Sequence, residues 1–230
     1  MKKIVLLFIC LPFLFMTCGK IPIKKFYIIN YEPEPLLDRK MTGPYPITIR
    51  IKDFSIERAY AKQEIVYRKS PYELQYYYYR VWAVKPTQMI TDMIQKHIAA
   101  TGLVSQVVRR LDEGKTPDYE LTGTIEAIEE YDSEEIWFAH LAIRMELTRM
   151  KDKRVVYYRR FDKRKRVHQH EPEYVINVLS QIMDFIMTQA LHDIDVVLGK
   201  EYGVNGNTGT GVEQNTLPAI DTASSGDDIE

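Results

Sequence analysis

Three long segments with alternating apolar residues constrain the fold of this chain more than any other feature. They run from Tyr119 to Tyr131, from Ile136 to Met150 and from Val155 to Val167, within 230 residues. In the first, Leu121, Gly123, Ile125 and Ala127 alternate with polar positions. Alternation with a period of two predicts β-strands that bury one face. A short charged turn, "MKDKR", joins the last two segments, so we predict an antiparallel β-meander.

Shorter elements precede and follow this meander. Strands are predicted at "KKFYIIN", "ITIRIKDF", "EIVYRK", "LQYYYYRVWA" and "LVSQVVR". Helices are predicted from Pro86 to Gly102 and from Pro172 to Gly199, because each apolar stripe begins at a proline and ends at a glycine. The predicted fold class is therefore α+β. A largely antiparallel sheet has two α-helices packed on one face, with an aromatic β-hairpin before helix one and the β-meander between the helices.

The N-terminus is typical of an export signal. Two lysines precede a thirteen-residue apolar run from Ile4 to Met16, which is shorter than the roughly 20 residues of a membrane-spanning helix. Cys18 follows in a pattern that resembles the lipobox of bacterial lipoproteins, although Phe15 and Thr17 depart from its preferred residues. We predict cleavage before Cys18 and lipidation of its sulfur; a plain signal peptide with an incidental cysteine is the alternative. Gly19, rather than Asp, favours the outer membrane.

The composition divides the chain into four parts. We predict a lipoprotein signal peptide at 1–17, a lipidated N-terminal linker at 18–23, a single α+β domain at 24–202 and a disordered acidic tail at 203–230. The tail is rich in Gly, Asn, Thr and Asp and contains no Lys or Arg, a composition typical of disorder. Both cysteines lie within the first eighteen residues, so the predicted domain has no disulfide.

The charge is nearly balanced, with a formal net charge of −1, and implies no nucleic-acid partner. Basic residues are concentrated between Arg149 and Arg166, a segment that contains ten Lys and Arg residues and two acidic residues. Two interpretations remain open for the end of this strand. It is either a solvated strand end or a contact for acidic lipid headgroups or an acidic protein.

The stretch "LQYYYYRVWA" carries aromatic side chains on both faces of its predicted strand. Alternation separates Leu74, Tyr76, Tyr78, Arg80 and Trp82 from Gln75, Tyr77, Tyr79, Val81 and Ala83. One interpretation is core packing with cross-strand pairs, and the other is a partner or lipid contact surface. Base stacking is disfavoured, since no basic groove accompanies the tyrosines. The candidate contact residues are Tyr77, Tyr79, Arg80 and Trp82.

No pattern in the chain indicates catalysis, and we predict no catalytic, cofactor-binding or metal-binding residues. Nucleophile-elbow, zinc-protease and phosphate-loop motifs are absent from the sequence. His168 and His170 could form part of a zinc site only with a third ligand such as His140 or His192, and no spacing supports one. The acidic run from Glu129 to Glu135 is expected at a turn, where its charges would be solvated.

One family shares this order of elements. The chain resembles the ABC-type transport auxiliary lipoproteins, partners of MCE-type lipid transporters in diderm bacteria. The resemblance covers roughly Lys24 to Gly199. Its most specific part is a "YR…Y…Y…RxWAxxP" pattern, supported by a later strand. The matching residues are Ile65, Val66, Tyr67, Arg68, Pro71, Tyr72, Tyr76, Arg80, Trp82, Ala83, Pro86, Met89, Asp118, Leu121 and Gly123.

The resemblance implies a periplasm-facing, non-catalytic accessory or docking component of an MCE/ABC-type transport system. Such a protein would be lipid-anchored at the periplasmic face of the outer membrane and help to move lipids or other hydrophobic molecules across the envelope. Its implied partners are an MCE-domain protein, the permease and ATPase of an ABC transporter, and the membrane itself. Direct phospholipid binding and homo-oligomerisation stay open. The alternative is a structural envelope lipoprotein that scaffolds an outer-membrane assembly without handling lipid.

Overall fold

The computed structural model describes residues 22–112, 114–133, 136–169 and 171–203. The predicted signal peptide, Cys18 and the predicted tail from residue 204 onward lie outside the described residues, so these predictions stay untested. The strands of the described part are β1 (Lys25–Tyr27), β2 (Tyr45–Ile51), β3 (Ser55–Ile56), β4 (Glu64–Ser70), β5 (Glu73–Trp82), β6 (Val104–Val108), β7 (Tyr119–Ser133), β8 (Ile136–Arg149) and β9 (Arg154–Arg166).

Two helices accompany these strands, α1 (Pro86–Thr101) and α2 (Pro172–Glu201). Both begin at the predicted prolines, where a missing N–H leaves no intrahelical bond unmade. Helix α1 ends at Gly102, which adopts a left-handed φ of 61° and donates its N–H to the Ala99 carbonyl. Helix α2 continues past Gly199. Neither helix combines the length and the apolar composition needed to cross a bilayer.

All nine strands of the described part belong to one curled, mixed sheet. Strand β7 lies at its centre, with β8 antiparallel on one edge and β9 antiparallel beyond β8. The other edge of β7 is shared along its length by β2, β3 and β4, all parallel to β7. Strand β6 then pairs with β2, β5 pairs with β4, and β1 pairs with β5 at the far edge.

The α+β fold class is confirmed, and the sheet is mixed rather than uniformly antiparallel. The meander β7–β8–β9 and the aromatic hairpin β4–β5 are antiparallel as predicted. The remaining pairings are parallel because β1, β2, β3 and β4 reach the sheet through loops, a 3₁₀ turn or helix α1 rather than through tight hairpins.

The hydrophobic core lies between the sheet and the two helices. Helix α2 packs on β8 and β9, and α1 packs on β6 and β3. Alternate side chains of β8 face this core and are almost fully buried: Ala139, Leu141, Ile143, Met145 and Leu147. Burying each of the four larger side chains in this row contributes about 1.5–3 kcal/mol, so the row and the apolar stripe of α2 hold the layers together.

A bulge in β7 changes which of its residues face the core. Ile125 pairs with Ile143, but the next paired residue, Ala127, faces Ala142, which leaves Glu126 as the extra residue. The strict alternation predicted through Ala127 is therefore wrong beyond Ile125. After the bulge Ile128, which is 1% exposed, takes the core position opposite Leu141.

Candidate interaction site on the aromatic strand

The tyrosine run of β5 coincides with a large bulge. Glu64 pairs with Val81 and Val66 pairs with Tyr76. An advance of two residues along β4 therefore corresponds to five residues along β5. The surplus residues lie between Tyr76 and Val81 and cannot all pair with β4. Bulges redirect side chains at sheet edges, and here the redirected residues are the tyrosines.

Tyr77 points inward from this bulge. Its hydroxyl donates a 3.0 Å hydrogen bond to Oε1 of Glu130, and its ring stacks on Tyr67 with centroids 4.3 Å apart. Burial, followed by the negative charge of Glu130, raises the pKa of the Tyr77 hydroxyl well above its ordinary value. The guanidinium of Arg80 also lies over the Tyr77 ring, 4.3 Å from its centroid. Tyr77 is thus held by a hydrogen bond, a stacked ring and a cation.

Tyr78 and Tyr79 point outward. Tyr78 is 73% exposed and Tyr79 is 40% exposed, and their rings form a T-shaped pair with centroids 4.8 Å apart. The ammonium of Lys24 lies 5.9 Å from the Tyr78 centroid. Phe26 of the neighbouring strand β1 is 66% exposed. We call Phe26, Tyr78 and Tyr79 the aromatic edge; such exposed aromatic groups often mark contact sites.

The structure separates the four residues predicted as contacts. Tyr79 is exposed, Arg80 and Tyr77 are half-buried, and Trp82 is 1% exposed within the core. The backbone of Trp82 also donates a 2.7 Å hydrogen bond to the Gln63 carbonyl. Sequence reasoning missed Tyr78, because the bulge that turns it outward has no signal in the alternation.

A buried polar cluster lies on the sheet face opposite the helices. Its centre is Glu129, which is 3% exposed. Tyr60 donates a 2.7 Å hydrogen bond to Glu129 Oε2, and Nε of Arg68 donates a 3.0 Å bond to the same oxygen. Nδ1 of His140 lies 3.0 Å from Oε1, and Nε2 of His140 lies 2.9 Å from Oδ1 of Asp162.

The cluster favours the ionised form of its carboxylates. Burial alone would raise the pKa of Glu129, but hydrogen bonds with His140 and Tyr60 and the charge of Arg68 lower it below its ordinary value. The pKa of Asp162 is also lowered. Burial would raise it, but the hydrogen bonds and charges of His140 and Arg160 outweigh this effect. A carboxylate whose oxygens are occupied in this way is suited to a structural role.

The prediction that the acidic run is a solvated turn is wrong for Glu129 and Glu130. Both lie within β7 and are almost fully buried. Glu130 lies on the core side, where its Oε1 accepts hydrogen bonds from Tyr77 and from Nε1 of Trp137, the latter at 2.5 Å. Burial raises the pKa of Glu130, although these bonds oppose the rise. Glu134 and Glu135, from the same acidic run, lie outside the described residues.

The histidines considered for a metal site are not brought together. His140 is engaged by two carboxylates, His168 is exposed, and His170 lies outside the described residues. Across the part of the chain that the structure describes, no three His, Cys, Asp or Glu side chains form a metal-binding group. Two clefts of about 420 and 440 Å³ lie away from the aromatic edge, one beside Tyr119 and one beside Thr122.

The basic end of β9 lies at an edge of the sheet and is paired with β8 up to Arg166. Arg164 and Arg166 are exposed and form no ion pair with the residues that the structure describes. Lys165 donates a 2.7 Å hydrogen bond to Gln181 of α2, and Lys163 lies 5.1 Å from the centroid of Phe185. Two cations at this strand end are thus open to an external partner.

Solved structures share this fold. Protein XCC0632 from Xanthomonas campestris superposes with a TM-score of 0.68 at 19% identity, over 78% of this chain and 99% of that chain. A second, uncharacterized protein gives a TM-score of 0.58 at 11% identity, over 75% of this chain and 99% of that chain. No curated protein matches the sequence.

A family model identifies the chain. The model describes the ABC-type transport auxiliary lipoprotein component and matches residues 32–190, which include the aromatic hairpin, Glu129, Glu130 and most of α2. The match covers more than half of the chain. This protein belongs to the family of ABC-type transport auxiliary lipoprotein components.

Proposed function

We propose that this protein is a non-catalytic accessory component of an MCE/ABC-type transport system that moves lipids or other hydrophobic molecules across the envelope. Cys18, once acylated, anchors it to the periplasmic face of the outer membrane, where the domain docks to its partners. The observation that carries the proposal is the family match over residues 32–190. The lipobox-like pattern ending at Cys18 supports the anchor.

The polar groups of the domain agree with a role without catalysis. The most deeply buried acid–histidine arrangement, Glu129 with His140, is closed by Tyr60, Arg68 and Asp162 rather than open to a substrate. The aromatic edge and the cations at the end of β9 are, by contrast, exposed. A protein that works through such surfaces binds and positions other molecules.

The function is tested by affinity purification of the full-length protein from envelope membranes of cells that produce it. We expect an MCE-domain protein and the permease and ATPase of an ABC transporter to co-purify. Cys18→Ala, which cannot be acylated, should be produced and folded yet recover much less of these partners. Recovery of an outer-membrane assembly without any transporter subunit would favour the scaffold function and contradict the proposal.

A further inference from the structure

We infer that the aromatic edge is the membrane-facing surface of this domain and rests on the headgroups of a bilayer that contains anionic lipid. The inference deepens the proposed function, since it relies on the lipid anchor at Cys18. It selects the bilayer, rather than a transporter subunit, as the occupant of the surface formed by Phe26, Tyr78 and Tyr79.

The distance from the anchor limits how the domain can be oriented. Pro22, the first described residue, is only four positions after Cys18. An extended chain spans at most about 3.6 Å per residue, so Pro22 lies within about 14 Å of an acylated Cys18. Strand β1 starts three residues later, and Lys24 already contacts Tyr78. The aromatic edge therefore lies next to the point where the anchor enters the membrane.

The side chains beside this point suit a membrane interface. Phe26 and Tyr78 are 66% and 73% exposed, and Ile23, one residue after Pro22, is 85% exposed. Exposed apolar and tyrosine side chains of this kind favour the headgroup level, where the ring is shielded and the hydroxyl stays wet. Lys24 can reach lipid phosphates from the same position, while Lys25 forms an exposed ion pair of 3.9 Å with Glu173.

The sheet brings further cations to the same end. Strand β1 begins opposite Arg80 of β5. Strand β4 ends beside the end of β7, where Arg68 pairs with Tyr131, and the first residues of β8 pair with the last residues of β9. Arg164 and Arg166 thus lie at the same end of the sheet as the start of β1, but on β9 at the opposite edge. Each cation near an anionic bilayer strengthens attachment about fivefold.

A second copy of the chain is a weaker occupant for this edge. Strand β1 has only three residues, and Lys24 and Lys25 lie at its start. Short edge strands that carry lysine are typical of edges protected against strand pairing. The same lysines complement a negatively charged bilayer, so the charge of the edge distinguishes between the two occupants.

The test uses the acylated full chain reconstituted in vesicles of phosphatidylcholine and phosphatidylglycerol with brominated acyl chains. Tyr78→Trp places a tryptophan in the aromatic edge. Tyr158→Trp is the matched control, since Tyr158 is 59% exposed on β9 but pairs with Glu146 towards the opposite end of the sheet. Both variants keep Trp82 and Trp137, so their difference reports the new ring. We expect brominated lipid to quench Tyr78→Trp and leave Tyr158→Trp unchanged.

A charge variant tests the contribution of the cations. Vesicles that contain phosphatidylglycerol should quench Tyr78→Trp more than vesicles of phosphatidylcholine alone. Arg164→Glu with Arg166→Glu, added to Tyr78→Trp, should remove this difference. Lys151→Glu with Lys153→Glu, in the turn at the other end of β9, should leave it intact.

Equal quenching of Tyr78→Trp and Tyr158→Trp in an acylated protein would overturn the inference but not the anchor. Shielding of Tyr78→Trp from soluble acrylamide without quenching by lipid would indicate a second copy of the chain at this surface and overturn it too. A reconstituted protein without an acyl mass on Cys18 would contradict the proposed function as well.

Discussion

Tyr77 donates a 3.0 Å hydrogen bond to the carboxylate of Glu130, a side chain that is 2% exposed. The bond ties the β5 bulge to the interior of the sheet at β7. It also divides the tyrosine run between two roles, because Tyr77 belongs to the packed structure while Tyr78 and Tyr79 face outward. One stretch of sequence thus provides both core packing and an exposed surface.

This division predicts different stability effects for adjacent tyrosines. Tyr77→Phe keeps the ring but leaves Glu130 with one hydrogen bond fewer, and should lower the free energy of unfolding by about 1–2 kcal/mol. Tyr78→Phe should change it by less than about 0.5 kcal/mol, because an exposed ring away from such features is tolerated. Urea unfolding of the two variants makes the comparison. Equal losses would show that Tyr77 is not held as described.

The ion pair of Arg68 with Glu129 should be important for stability. The two side chains are 21% and 4% exposed. Arg68→Ala leaves the buried carboxylate without its cation and should cost about 3 kcal/mol of unfolding free energy. Arg68 also donates a 3.2 Å hydrogen bond to the Pro71 carbonyl in the hairpin turn, so the loss should include local loosening of β4 and β5.

The control for Arg68 is an exposed pair in the same protein. Lys96 and Glu32 form an ion pair of 2.9 Å, but their side chains are 45% and 84% exposed. Lys96→Ala should therefore cost less than about 1 kcal/mol. A loss as large as that of Arg68→Ala would contradict the assignment of Arg68 to a buried cluster.

His97 makes stability depend on pH. Burial lowers the pKa of His97 from 6.5 to about 4, and Nδ1 of its ring lies 2.9 Å from the Tyr31 hydroxyl. The carboxylate of Asp184, whose own pKa is raised by burial, lies 3.8 Å from the same nitrogen. Below about pH 6.5 His97 is protonated in the unfolded chain but stays neutral in the folded protein. The contribution of His97 to stability therefore falls as the pH drops towards 4.

His97→Phe should remove this component. Between about pH 7 and about pH 5 the wild-type protein should lose about 2 kcal/mol more unfolding free energy than the variant. Urea midpoints measured at the two pH values give the difference directly. The result would be opposite if Asp184 held His97 protonated in the folded protein, since acid would then stabilise the wild type relative to the variant.

Gly123 has a steric reason to be glycine. A Cβ at this position would lie 2.5 Å from the Arg144 carbonyl oxygen and would also collide with the ring of Phe54. Gly123→Ala should therefore destabilise the protein by about 2 kcal/mol. Gly43→Ala is the control, because nothing lies within 4 Å of an added Cβ there. Similar unfolding midpoints for the two variants would contradict the close approach of β7, β8 and Phe54.

The order and type of the elements could be predicted from periodicity, since the long strands and both helices repeat their apolar residues over many positions. The extra residue at Glu126 could not, because a bulge shifts the alternation without a recognisable local pattern. The parallel pairing of β2, β3 and β4 along one edge of β7 also escaped prediction, since it depends on loops and on helix α1.

The candidate site was predictable only in outline. The tyrosine run indicated a surface, but the bulge between Tyr76 and Val81 decides which rings are exposed. Glu129 and Glu130 resembled a solvated turn because their partners are far away in sequence. Arg68 is sixty-one residues from Glu129, a separation at which no local pattern links an acid to its cation.

The anchor at Cys18 is the central claim of this account, because the location, the partners and the orientation of the aromatic edge all depend on it. Mass spectrometry of the N-terminal peptide of the mature protein, extracted from envelope membranes, tests it most directly. The account predicts a peptide that begins at Cys18 and carries acyl chains. A peptide that begins at Met1, or an unmodified Cys18, would contradict it.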